Sequence, residues 1–274
     1  GSSTTSTIPG SSTSTTQAVS PTRPTTPGYW MLASDGTVYP FGSAQTFSTQ
    51  PNNFAISIAP TPDGGGYEVL NQFGRVTPSG DAFAATNGST TLAPNGNAIS
   101  ISVTADNKGY WIATSGGKIF SEGDAVDYGS PSQSGLNLAS GIVDMVATPD
   151  GRGYWMLGGD GGVFTYGDAQ FYGSTGAIHL NEPAVAMAPT TDGRGYWFVA
   201  SDGGVFAFGD ATFQGSMGGT TLAMPVDGIV TTGDGLGYWM VAQDGGVFAF
   251  GDATFVGSLG GTSINSPIVS IAPD

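Results

Sequence analysis

The stretch Gly195-Tyr196-Trp197-Phe198-Val199-Ala200-Ser201-Asp202-Gly203-Gly204-Val205-Phe206-Ala207-Phe208-Gly209-Asp210-Ala211 decides the fold, because the chain writes it again from Gly237 to Ala253. Looser copies come before it. The tyrosine near the head of the motif recurs at Tyr29, Tyr67, Tyr110, Tyr154, Tyr196 and Tyr238, at intervals of 38, 43, 44, 42 and 42 residues. A period of roughly 40–50 residues punctuated by Gly, Trp and Asp is the spacing of β-propeller blades.

One copy reads as four strands. Ala184 to Ala188 is a short apolar strand, and Tyr196 to Ala200 a second. Asp202-Gly203-Gly204 is a tight hairpin, since glycine accepts the positive φ such turns require. Val205 to Phe208 is the third strand, and Ala211 to Gly215 reads as a short outer fourth. The strands do not alternate apolar with polar: in Tyr238-Trp239-Met240-Val241-Ala242 both faces are apolar. Such a strand needs cover on both sides, which blades stacked around a ring provide and a single two-sheet sandwich does not. No segment carries sustained helical periodicity.

The ends of the chain fit this scheme. The later five signatures follow an apolar strand starting near Ala55, Ala98, Ile142, Ala184 and Gly228. The first follows Pro24-Thr25-Thr26-Pro27, and proline removes ladder donors. The missing strand stands at the other end, as Pro267-Ile268-Val269-Ser270-Ile271-Ala272-Pro273-Asp274. The expectation is an all-β, six-bladed β-propeller over residues 28–274, with four-stranded antiparallel blades and a ring closed by the C-terminal strand completing blade one. Residues 1–27 are a separate Ser/Thr/Pro-rich tail or linker, a composition common in secreted stalks.

Composition limits the function. The formal charge is -15, with only six Lys and Arg. A chain this acidic repels nucleic-acid phosphates and anionic membranes. No run reaches the ~18 apolar residues of a membrane span. Neither nucleic acid nor membrane insertion is therefore expected. The absence of cysteine excludes disulfides and thiolate metal sites. Only 10% of residues are charged, so the surface has few salt bridges to lose in acid.

The Gly-Tyr-Trp and Asp-Gly-Gly-Val-Phe-x-Phe-Gly-Asp-Ala signatures resemble repeats of secreted and surface proteins of actinobacteria and their relatives. The likeness covers residues 28–274, most closely in the last three copies. It is weakest in the second, where Glu68 stands in place of Trp and Phe73-Gly74-Arg75 in place of Asp-Gly-Gly. The resemblance implies a β-propeller, an extracellular or cell-surface location and a noncatalytic module. It implies no active-site residue.

Three aspartate sets recur with the repeat: Asp81, Asp124, Asp168, Asp210 and Asp252; Asp35, Asp160, Asp202 and Asp244; Asp63, Asp150, Asp192 and Asp234. Calcium needs six to eight oxygens, and one Asp per turn without Asp-x-Asp-x-Asp spacing reads as turn chemistry. Residues that break the repeat are the better functional candidates: Glu68, Arg75, Lys118, Glu122, Asp127, Asp144, His179 and Glu182. Glu68 and Glu122 are the pair a glycosidase would use. A sugar-stacking role would fall to Tyr39, Tyr128 or Tyr172.

The preferred reading is a nonenzymatic extracellular recognition or adhesion module for a glycan, cell wall or protein partner, with no catalytic, cofactor or metal site. The alternatives are a self-assembling subunit of a surface filament or layer, associating through residues 1–27, and a carbohydrate-active hydrolase or lyase.

Overall fold

The computed structural model describes residue 1 and residues 27–48, 52–85 and 97–274. Most of the 1–27 tract, and with it the tail expectation, lies outside the described residues.

The described chain is all-β. β1 (Gly28–Ala33) and β2 (Val38–Gly42) form the first hairpin. Then follow β3 (Ala55–Pro60), β4 (Gly66–Asn71) and β5 (Val76–Gly80); β6 (Ala98–Val103), β7 (Gly109–Thr114) and β8 (Ile119–Gly123); and β9 (Ile142–Ala147), β10 (Gly153–Gly158) and β11 (Val163–Gly167). The last elements are β12 (Ala184–Pro189), β13 (Gly195–Ala200) and β14 (Val205–Gly209); β15 (Val226–Thr231), β16 (Gly237–Ala242) and β17 (Val247–Gly251); and β18 (Ile268–Pro273). They make six three-stranded antiparallel sheets, an arrangement like that of a six-bladed β-propeller.

The first sheet has the order β18-β1-β2, with Tyr29 opposite Pro273 and Met31 opposite Ile271. The first strand of each other sheet takes the place of β18. These six inner strands touch one another in succession, β3 to β6, β9, β12, β15, β18 and back to β3. The inner strand β15 starts at Val226, two residues before the position expected from sequence.

Doubly apolar sequence explains the packing. The middle strands β1, β4, β7, β10, β13 and β16, Gly-Tyr-Trp in all but β4, are buried at all six positions. The Trp of one sheet meets the Tyr of the next: Trp197 and Tyr238 have ring centroids 6.0 Å apart, and Trp155 and Tyr196 5.8 Å. Each such aromatic buries ~150–250 Å². At the Trp197–Tyr238 seam both polar handles are also satisfied. The indole Nε1–H of Trp197 donates to the Thr212 carbonyl at 2.9 Å, and the Tyr238 hydroxyl donates to the Gly215 carbonyl.

The sheets have three strands, not four. After β14 the chain peels away to the next sheet. The Gln214 N–H donates to the Tyr238 hydroxyl at 3.2 Å, and that hydroxyl donates onward to Gly215 O. At Gly215, φ is 139° and an added Cβ would lie 2.4 Å from Phe250. The neighbour's tyrosine thus takes hydrogen bonds that a fourth strand would have placed on β14. Tyr154 and Tyr196 do the same for Gly129 and Gly173.

Candidate functional site

The inner strands line an axial cavity of about 440 Å³. Each inner strand carries a register shift near its start. Most of the wall is Ile, Val, Ala and Met, and the polar exceptions include Ser57, Ser100, Asp144, Asp227 and Ser270. None of the described Lys and Arg residues is in the wall.

Most of these polar groups tie neighbouring sheets together. Ser57 Oγ accepts from the Ile101 N–H at 3.3 Å, and Ser270 Oγ from the Ile58 N–H at 3.4 Å. Asp144 is the strongest brace. Its Oδ1 accepts from the Ser100 hydroxyl and the Met145 N–H, and its Oδ2 from the Met187 N–H, each at 2.8 Å. One carboxylate therefore joins the third, fourth and fifth sheets. Burial still pushes its pKa up to about 6, against the opposite pull of those three donors. Asp227, at the start of β15, is also pushed up to about 6 by burial, and the Gln243 side chain pulls the other way.

The residues singled out from sequence scatter. Glu68 is completely buried in β4, and neither carboxylate oxygen has a hydrogen-bond partner. Burial pushes its pKa up to about 8. It occupies the Trp position, so it faces Tyr110 of the next sheet, whose hydroxyl is likewise unpartnered. Glu122 lies opposite Tyr110 on β8, and the charges of both glutamates act on that hydroxyl. The structure thus brings Glu68 and Glu122 to one seam between sheets, away from the cavity wall. His179, Glu182 and Asp127 are exposed on connecting segments. Asp127 accepts from the Gly129 N–H and from Gln133 Nε2.

The tyrosines considered for sugar stacking are tied into packing. Tyr128 and Tyr172 stand edge-on to Tyr154 and Tyr196, and their hydroxyls donate to the Gly151 and Gly193 carbonyls. Tyr39 is half-buried on β2.

The repeated aspartates divide into two behaviours. Asp35, Asp160, Asp202 and Asp244 accept the N–H two residues on, as hairpin caps. Asp63, Asp150, Asp192 and Asp234 do likewise. The Leu236 N–H, then the Thr232 hydroxyl, holds Asp234 below the usual carboxylate range. Asp168 and Asp252 instead accept from the hydroxyls of Thr148 and Thr232. Among the described residues, no group of three or more His, Asp or Glu side chains could hold a metal.

Asp227 was not picked out from sequence, although the signal was present. The other inner strands carry Ile56, Ile99, Val143, Val185 and Val269 at its position. No protein-family model matches this chain, and no curated protein matches it either.

Proposed function

We propose that the chain is a six-bladed β-propeller, shut by β18 against β1, that acts outside the cell or at its surface as a noncatalytic recognition or adhesion module. Its partner is a glycan, a cell-wall polymer or a surface protein. The observation behind this reading is a contrast between wall and rim. The cavity's strongest polar group, Asp144, has both carboxylate oxygens occupied in bracing adjacent strands. The hairpins at one end differ from blade to blade, from Ser201-Asp202-Gly203-Gly204 to Gln72-Phe73-Gly74-Arg75 and Ser115-Gly116-Gly117-Lys118. Variable loops on a rigid repeated scaffold are where recognition residues concentrate.

A glycan array and a cell-wall pull-down with residues 28–274, each paired with a glycoside-hydrolysis assay, test the reading. Binding without turnover is expected. Turnover that disappears in Asp144→Asn or Asp227→Asn would contradict it.

A further inference from the structure

The hairpin end of the second sheet carries an aromatic pair that the repeat does not call for. Phe54 stands immediately before β3, where the equivalent residues are Asn97, Gly141, Pro183, Pro225 and Pro267. Phe73 stands in the β4–β5 hairpin, where four copies have the capping aspartates Asp35, Asp160, Asp202 and Asp244 and the third has Gly116. Both rings are exposed, Phe54 at 59% and Phe73 at 38%. They meet edge to face, with centroids 5.7 Å apart and planes at 82°. Two large apolar side chains facing water at one corner gain nothing for folding beyond their mutual contact.

The backbone beneath them is held in place. Phe54 has φ 62°, a left-handed conformation that is an outlier for a bulky residue. Two asparagines, Asn52 ahead of β3 and Asn71 at the end of β4, hold the surrounding backbone. Asn52, almost fully buried, donates from Nδ2 to the Val69 carbonyl at 2.9 Å. Asn71 Oδ1 accepts from the Phe73 and Arg75 N–H groups, each at 3.0 Å, and its Nδ2 donates to Asn53 O. The Gln72 N–H donates to the Phe54 carbonyl at 3.0 Å. Strain kept in place by such a scaffold is a mark of functional surfaces.

The local charge is also reversed. Arg75 directly precedes β5 and Lys118 directly precedes β8, so they hold equivalent places on adjacent sheets, where other copies have Thr37, Gly162, Gly204 and Gly246. Both are exposed, and neither joins an ion pair among the described residues. Lys118 sits 4.2 Å from the Phe120 ring centroid. On a chain of net charge -15, one cation in the same hairpin as Phe73 and a second at the equivalent place on the adjacent sheet favour an anion with an apolar face at this rim.

We propose that Phe54, Phe73, Arg75 and Lys118 form a binding site for an acidic oligosaccharide, whose pyranose C–H faces lie on the phenyl rings and whose carboxylates pair with the two cations. A carbohydrate fits better than an extended peptide. Strand-like peptide recognition uses free backbone N–H groups, and those of Gln72, Phe73, Gly74 and Arg75 are all taken within the hairpin. This inference rests on the recognition reading above and gives it a location and a ligand class.

The test uses the full chain and a panel of tetrasaccharides of galacturonic, glucuronic and mannuronic acid. Their neutral counterparts and a hexaglutamate peptide serve as comparisons, followed by NMR titration and calorimetry. At least one acidic tetrasaccharide should bind, with shifts centred on residues 53–55, 72–76 and 118, and bind at least tenfold more weakly in raised salt. Its neutral counterpart should bind at least tenfold more weakly. Phe73→Ala and Arg75→Ala should each weaken binding at least tenfold without lowering the melting temperature. Phe54→Gly should do the same, because glycine accepts the positive φ without strain. Failure of every acidic tetrasaccharide overturns the proposal, as does hexaglutamate binding as tightly as the sugars. Acidic-sugar binding that survives all three substitutions overturns this site while leaving the recognition reading standing.

Discussion

The fifth sheet (β12–β14) and the second (β3–β5) were built from the same plan and have ended differently. In the fifth, Trp197 fills the seam to the next sheet, its N–H is bonded to Thr212 O, and the facing Tyr238 hydroxyl is bonded to Gly215 O. In the second, Glu68 fills the corresponding place with two unpartnered oxygens, and the facing Tyr110 hydroxyl has none either. The fold tolerates the loss because burial of the strand is shared by both faces. Leu70 and Ala59 of the second sheet still pack with Ile101, Tyr110 and Ile112 of the third. A repeated interface lets one seam degrade while its neighbours hold it shut.

That comparison can be broken in order of expected size. Trp155→Ala removes a fully buried indole and leaves the Gln170 carbonyl without its 2.7 Å donor. It should cost about 3–5 kcal/mol in urea unfolding at pH 7. A cost below ~1 kcal/mol would mean that the regular seams are no tighter than the degraded one.

Glu68 should make stability fall with pH. Its folded pKa of about 8 lies above the ordinary value of 4.5, so the native state binds the proton more tightly. The stability this provides is full below about pH 4.5 and is lost as pH rises through about 8, by at most on the order of 5 kcal/mol. Unfolding measured from pH 4 to 9 should show that slope, and Glu68→Gln should flatten its upper part. Tyr110 faces the same seam, and its hydroxyl is raised by burial first and then by the charges of Glu122 and Glu68. Asp144 and Asp227, each raised to about 6, contribute in the same direction at lower pH.

Asp144→Asn keeps one acceptor oxygen and turns the other into a donor, so that either the Met187 N–H or the Met145 N–H loses its acceptor. A loss of about 1–3 kcal/mol at pH 7 is expected. An unchanged midpoint would show that the brace across three sheets contributes nothing. The smallest effect belongs to Ser57→Ala, which removes one 3.3 Å acceptor from Ile101 N and should cost about 0.5–1 kcal/mol by the same assay.

The sequence displayed its architecture where the physics is local or periodic. Doubly apolar strands, Asp-Gly hairpins and the prolines ahead of Tyr29 were enough to anticipate six sheets and the pairing of the last strand with the first. The strand count per sheet was not legible. It depends on Tyr238 reaching across to Gly215, a contact between residues 23 apart whose outcome no local pattern announces. Glu68 stood out as a break in the repeat, but its surroundings did not: a buried seam and a solvent-filled groove demand the same letter. Asp227 and Phe54 break the repeat too, the first in place of Ile or Val and the second in place of Pro, Asn or Gly, but neither letter announces burial in the wall or exposure at the rim.

Pairing of β18 with β1 is what the account rests on, and hydrogen exchange of the intact chain tests it most directly. The account predicts that amides of Gly28–Ala33 exchange as slowly as those of β13 and β16 under the same conditions. Exchange in Gly28–Ala33 faster by orders of magnitude, while β13 and β16 stay protected, would contradict it.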